Sequence, residues 1–278
     1  MSAQKTILIT GCSSGIGYDA AHGLKKRGWR VFATCRKPED CARLEAEGLE
    51  SFVLDYTDPA TMEAAVTETL QRTGGTLDAL FNNGAYGTPG LLEDMPTEAL
   101  RLNFETNFFA QHDLTRRLMP TFRKQGHGRI LMNSSVLGFI TLPWRGVYNA
   151  TKFAMEGWAD TFRLELQGTG IHMILIEPGP ITSEIRRNSI PHFEKWVDYK
   201  ASHRVADYEK VFLPRLYDES GKPDAFELPA SATTEAVYKA LTAASPRARY
   251  RITTPTKMMA VLKRILPTKL MDKVLLKA

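Results

Sequence analysis

Short apolar runs alternate with longer amphipathic stretches along most of the chain. KTILIT (5–10), RVFATC (30–35), ESFVLD (50–55), LDALFN (77–82), RILMNS (129–134), HMILIE (172–177) and RYRIT (249–253) read as strands. Several are nearly continuous apolar runs, as expected of strands covered on both faces. Helical patterns fill 15–28, 59–73, 97–123, 147–167 and 232–244. Repeated β-α-β alternation implies a parallel sheet of about seven strands with right-handed crossovers and helices on both sides. No Pro/Gly linker and no internal repeat divides the chain, so residues 1–278 read as one doubly wound α/β domain.

Two segments break the alternation. Residues 184–226 are polar, aromatic and proline-punctuated. Phe193, Trp196, Tyr199, Phe212 and Leu213 are mixed there with many charges. A mobile lid with one apolar side is the expectation. The second segment is the tail, 256–278. It holds Lys257, Lys263, Arg264, Lys269, Lys273 and Lys277 against Asp272, which accounts for the chain's whole net charge of +5. A neutral body argues against a nucleic-acid-binding face. Met258, Val261, Leu262 and Ile265 repeat at helical spacing, Pro267 ends that helix, and Leu270, Val274 and Leu275 resume the stripe. The stripe either packs on the body, the favoured reading, or rests on an anionic membrane.

The 43% hydrophobic and 24% charged content places the chain among ordinary soluble proteins. Neither a signal peptide nor a transmembrane run is expected. Cys12, Cys35 and Cys41 are odd in number and lack metal spacing. No metal site and a reduced, cytoplasmic compartment are expected.

The first strand runs into TGCSSGIG, residues 10–17. Gly11, Gly15 and Gly17 permit a tight turn and close backbone approach to a phosphate, with the amides of the next helix aimed at the same place. A Rossmann-type nucleotide site follows from that position between first strand and first helix. NAD sites of this kind carry an acidic residue about 20 residues on. Here the second strand ends with Arg36 and Lys37 instead. A guanidinium pairs well with a 2′-phosphate, so NADP is favoured.

YNATK, residues 148–152, places Tyr148 and Lys152 on one helix face. A nearby cation favours the phenolate and lowers a tyrosine's pKa.

Together these motifs resemble the short-chain dehydrogenase/reductase family over nearly the whole chain. TGCSSGIG fits the family's TGxxxGIG, with Ser13, Ser14 and Ile16 between and beside the glycines. Asp55 in LDYTD stands where the family binds the adenine ring. NNGA (82–85), with Asn83 and Gly84, resembles NNAG with its last two residues exchanged. Asn107 matches the catalytic asparagine. Ser135 matches the catalytic serine, with neighbouring Ser134 the second candidate. PGPITS resembles PGxIxT, bringing Pro178, Ile181 and Ser183 to the cofactor.

The resemblance implies hydride transfer between nicotinamide and a carbonyl carbon. Tyr148 would be the proton donor, and Lys152 would lower its pKa and bind the ribose. Ser135 would orient the substrate oxygen. Asn107 would hold a water on a proton route. The expected enzyme is an NADP-dependent reductase of an apolar aldehyde or ketone. It looks most like the branch of retinol and 17β-hydroxysteroid dehydrogenases and bacterial aldehyde reductases. Homodimers or homotetramers through helices such as 97–123 and 147–167 are usual there. The alternative function is a binding or regulatory protein that senses NADPH/NADP without turnover.

Overall fold

The computed structural model describes residues 4–277. Seven parallel strands form one sheet in the order β3-β2-β1-β4-β5-β6-β7. They are β1 (Thr6–Ile9), β2 (Arg30–Cys35), β3 (Glu50–Val53), β4 (Ala79–Asn82), β5 (Gly128–Asn133), β6 (Ile171–Glu177) and β7 (Arg249–Arg251). All seven expected strands are present, most within a residue or two of the expected ends.

Strand side chains alternate between faces, and the two cores follow that alternation. Ile7 and Ile9 point to one side with Val31, Ala33 and Ile174, under α1 (Gly15–Lys26), α2 (Pro38–Ala46) and α10 (Ser231–Thr242). Leu8 points to the other with Phe32, Leu80 and Ile130, under α3 (Pro59–Arg72), α5 (Ala110–Gln125) and α6 (Gly146–Glu165). Helix α2 was not expected. It buries only Cys41 and Leu44, too few apolar positions to make a periodic signal, although Pro38, Glu39 and Asp40 form a good helix start.

The expected helix over 97–123 is α4 (Thr97–Phe104) and α5 joined by a π-turn over Glu105–Phe109. Residues 184–226 fold into α7 (Ile185–Trp196), α8 (Val205–Asp207) and α9 (Leu213–Leu216) with a second π-turn at Tyr208–Phe212. Phe193, Val197, Tyr208, Phe212 and Leu216 make a small core of their own, against which Leu91, Met95 and Trp144 pack. The segment therefore has the apolar side expected of it.

The tail forms α11 (Thr254–Ile265) and α12 (Thr268–Leu275), with Pro267 between them as expected. Met259, Met271 and Leu275 pack with Ile140. The expected stripe needs correcting: Met258, Val261 and Ile265 face solvent, while Met259 and Ala260 are buried. Helix α11 carries apolar residues on two faces, and spacing alone selected the outer one.

Candidate active site

Strand order reverses between β1 and β4, so the crevice at their C-terminal ends is where an open α/β sheet takes a ligand. The glycine turn lies there, and steric fit dictates its residues. A Cβ on Gly11 would lie 2.7 Å from the Gly84 Cα, and one on Gly17 would lie 2.3 Å from the Gly11 carbonyl oxygen. Gly11 and Gly15 also take positive φ, at 68° and 58°. Ser14 precedes α1, no side-chain hydrogen bond caps that helix, and its first turn holds no acidic residue. Its leading amides therefore suit an anion. A Cβ on Gly15 would lie 3.2 Å from Ser183 Cβ, so PGPITS and the glycine turn meet. Ser13 is held from behind, its carbonyl accepting from Arg43 at 2.7 Å. Ile16 and Ile181 pack against the adjoining core.

The NNGA loop is tied to the same turn. The Asn83 amide donates to the Thr10 and Gly11 carbonyls at 2.9 and 3.1 Å. Its carbonyl accepts from Asn133 at 2.9 Å. At the exchanged glycine, a Cβ on Gly84 would come within 3.1 Å of the Tyr56 ring, a tight contact that glycine avoids.

At the end of β2, Arg36 is exposed and has no ion pair among the described residues, whereas Lys37 lies 3.7 Å from Glu39. Asp55 Oδ1 accepts from the Thr57 amide and hydroxyl at 2.9 and 2.8 Å.

Helix α6 carries Tyr148 and Lys152. The Lys152 Nζ lies 5.3 Å from the Tyr148 ring centroid and donates to the Asn133 carbonyl at 2.6 Å. Burial pulls the Lys152 ammonium down to about 7, with Glu156 one turn on opposing the shift. Burial pushes the Tyr148 phenol up, opposed by the charge of Arg145 and a hydrogen bond with Ser135. The opposing cation is Arg145, which the motif does not contain.

Ser135 Oγ accepts from the Leu137 amide at 3.1 Å, which leaves its proton free for Tyr148 or a ligand. Ser134 instead donates to the Glu156 carboxylate. The Pro178 carbonyl accepts from the Val136 amide at 2.8 Å, holding the segment after β6 beside these serines. Asn107 sits fully buried in the π-turn, a helix distortion frequent at functional sites. Its amide bonds the Tyr86 backbone, Asn103 and Thr151, and none of these bonds reaches Lys152.

Arg145 is the residue that motif reading misses. It stands one turn before Tyr148, at the start of α6, and its charge feels Arg215 and Arg186, which share Asp224 at 3.0 and 2.9 Å. Its neighbour Trp144 has φ 66°, a strained state for a bulky residue. Stacking on Phe212 at 5.0 Å and a bond from the Gly90 amide hold it there. Beside the first turns of α6 runs an apolar groove of about 680 Å³, walled by Leu92, Leu142, Phe153, Leu275 and Leu276. On the nucleotide side, His192 of α7 stacks on Tyr86 at 4.1 Å, so the 184–226 segment reaches over the crevice.

The chain belongs to the short-chain dehydrogenase family, whose model matches residues 5–193. It is therefore an oxidoreductase built around a nicotinamide-nucleotide fold. An uncharacterised oxidoreductase, YbbO of Escherichia coli, is 38% identical over 98% of this chain and 94% of its own length. The NADPH-dependent 3-dehydrocapnine reductase of Ornithobacterium rhinotracheale is 31% identical over 97% and 95%. A short-chain dehydrogenase from Streptomyces avermitilis superposes with a TM-score of 0.77 at 25% identity, covering 98% of this chain and 94% of that one.

Proposed function

We propose that the protein is an NADP-dependent reductase of an apolar aldehyde or ketone, able to run in reverse on the alcohol. What carries this reading is the meeting of Ser135, Tyr148 and Lys152 at the end of the crevice that holds the glycine turn. The nucleotide fits the residues present. Gly11, Gly15 and Gly17 leave room for a pyrophosphate that side chains would fill, and the uncapped start of α1 suits its charge. Asp55 and Asn83 would hold the adenosine side, Lys152 the ribose, and Ser183 with Pro178 and Ile181 the nicotinamide end.

Bound NADPH would supply the hydride. Ser135 donates to the carbonyl oxygen and orients it, and Tyr148 protonates that oxygen as negative charge grows on it. Lys152, titrating near 7, can pass a proton toward the phenol and recover one from outside. Asn107 shapes the loop after NNGA through Tyr86. Helix α7, with His192 over Tyr86, is the part of the lid that opens. A subunit contact would form on the α5–α6 face, where Phe109, Phe153 and Leu164 are exposed.

The NADP preference rests on unpaired Arg36. Charge-assisted contacts are worth about 1.5–3 kcal/mol, so Arg36→Asp should weaken NADPH binding roughly ten- to a hundredfold and spare NADH. The deciding assay follows loss of nicotinamide absorbance with NADPH or NADH over aldehydes and ketones of rising chain length. Equal use of both cofactors rejects the NADP assignment. No turnover across the panel rejects the reductase.

A further inference from the structure

We propose that helices α11 and α12 dock the protein on an anionic membrane surface. One side of these helices is already taken up by the body, where Met259, Met271 and Leu275 pack with Ile140. The other side is apolar and cationic together. Met258, Val261, Ile265, Leu270 and Leu276 are between 48% and 75% exposed. Isolated exposed apolar residues are ordinary on a soluble protein, and a grouped set marks a contact. Met258, Val261 and Ile265 are grouped: at helical periodicity they fall within about 60° of one another. Body packing does not explain them, because the body holds the opposite face.

The charges name the partner. Lys257, Lys263, Arg264, Lys269, Lys273 and Lys277 are all exposed, and none is in an ion pair among the described residues. Asp272 is the one acidic residue among residues 256–277. Elsewhere the surface is laced with pairs such as Arg72–Glu68 and Arg117–Asp113, so the tail departs from the chain's own habit. An apolar stripe between unpaired cations fits an interface whose headgroups are negative and whose interior is apolar. A second copy of the tail would set cation against cation. Helix α12 is also a wall of the apolar groove, so a docked bilayer lies against it.

The test is co-sedimentation of the full chain with vesicles of phosphatidylcholine alone or mixed equally with phosphatidylglycerol, at low and high salt. Binding to the mixed vesicles only, weakened by salt, is the expected result. Each cation near such a surface contributes about a fivefold factor, so the triple change Lys257→Gln, Arg264→Gln, Lys273→Gln should lower partitioning roughly a hundredfold. Val261→Ser with Ile265→Ser should lower it at least about tenfold while the charge is unchanged. These residues face solvent, so circular dichroism and NADPH turnover on a short soluble aldehyde should match the parent. No binding to mixed vesicles at low salt overturns the proposal. So does parental binding by the serine variant, which would leave a charge effect without a docked stripe. Sedimentation velocity in which the serine variant alone dissociates, without vesicle binding by the parent, overturns it in favour of a subunit contact.

Discussion

The glycine turn and the Tyr148–Lys152 pair lie in one crevice but are specified in different ways. The turn is specified by what cannot be there. Side chains at 11 or 17 would overlap backbone atoms, and no distant charge alters that. The pair is specified by what surrounds it. The Tyr148 phenol is pushed up by burial and held back by Arg145 and Ser135, and the Lys152 ammonium is drawn down to about 7 by burial. Steric rules act over neighbours in sequence, so a spacing records them. Acidity depends on residues brought in by the fold.

The largest effect that tests this contrast is at the phenol. Tyr148→Phe removes one oxygen and almost no packing. Turnover should fall about a thousandfold with NADPH affinity within a few-fold of the parent, measured by steady-state kinetics and fluorescence titration. Near-parental turnover would show that another group donates the proton.

Gly17→Ala is the counterpart in the turn. Its methyl would meet the Gly11 oxygen at 2.3 Å and the Asn83 side chain at 2.5 Å. Overpacking of this kind costs about 1–3 kcal/mol, so thermal stability and nucleotide affinity should fall together. A variant that binds nucleotide like the parent would mean the turn is softer than its contacts imply.

Arg145→Met leaves every family motif intact and changes only the surroundings. Alcohol oxidation needs the Tyr148 phenolate, and losing the cation raises the phenol's pKa further. The rising limb of the pH–rate profile should move to higher pH, with about a tenfold loss near neutrality. Carbonyl reduction, which needs the protonated phenol, should change little, and Arg145→Lys should restore the limb. An unmoved limb would remove Arg145 from the proton chemistry.

The last effect is on stability and is the most gradual, because it is spread over several pH units. Lys152 sits near 7 in the fold and returns to its ordinary 10.5 on unfolding. Between those values the unfolded chain binds the extra proton, so this group's penalty is fully present below pH 7 and is relieved as pH rises toward 10.5. Relative to Lys152→Met, the parent should gain up to about 1.4 kcal/mol per pH unit across that window, read from urea midpoints. Parallel curves would show that the ammonium is not desolvated as described.

The same contrast explains what the sequence reveals. The seven strands are legible because a buried parallel strand is an apolar run. The glycine turn is legible because its stereochemistry is local. Helix α2 is not, since only Cys41 and Leu44 face the core. The inner face of α11 is obscured by Met258, Val261 and Ile265 on the outer one. The choice between Ser134 and Ser135 turns on Glu156, 22 residues from Ser134. Arg145 gains its importance from its place beside Tyr148 and near Arg186 and Arg215, which no short motif encodes.

The contact between Gly84 and the Tyr56 ring couples the two positions. A methyl at 84 would crowd that ring, and the Tyr56 hydroxyl is engaged with Thr10 at 2.7 Å and Asn82 at 3.1 Å. The ring therefore has little freedom to retreat. An alanine at 84, the family's usual residue, would need that ring to give by a few tenths of an ångström against both hydroxyl bonds. A residue change at 84 is therefore felt at 56, so substitutions at the two positions are expected to be non-additive.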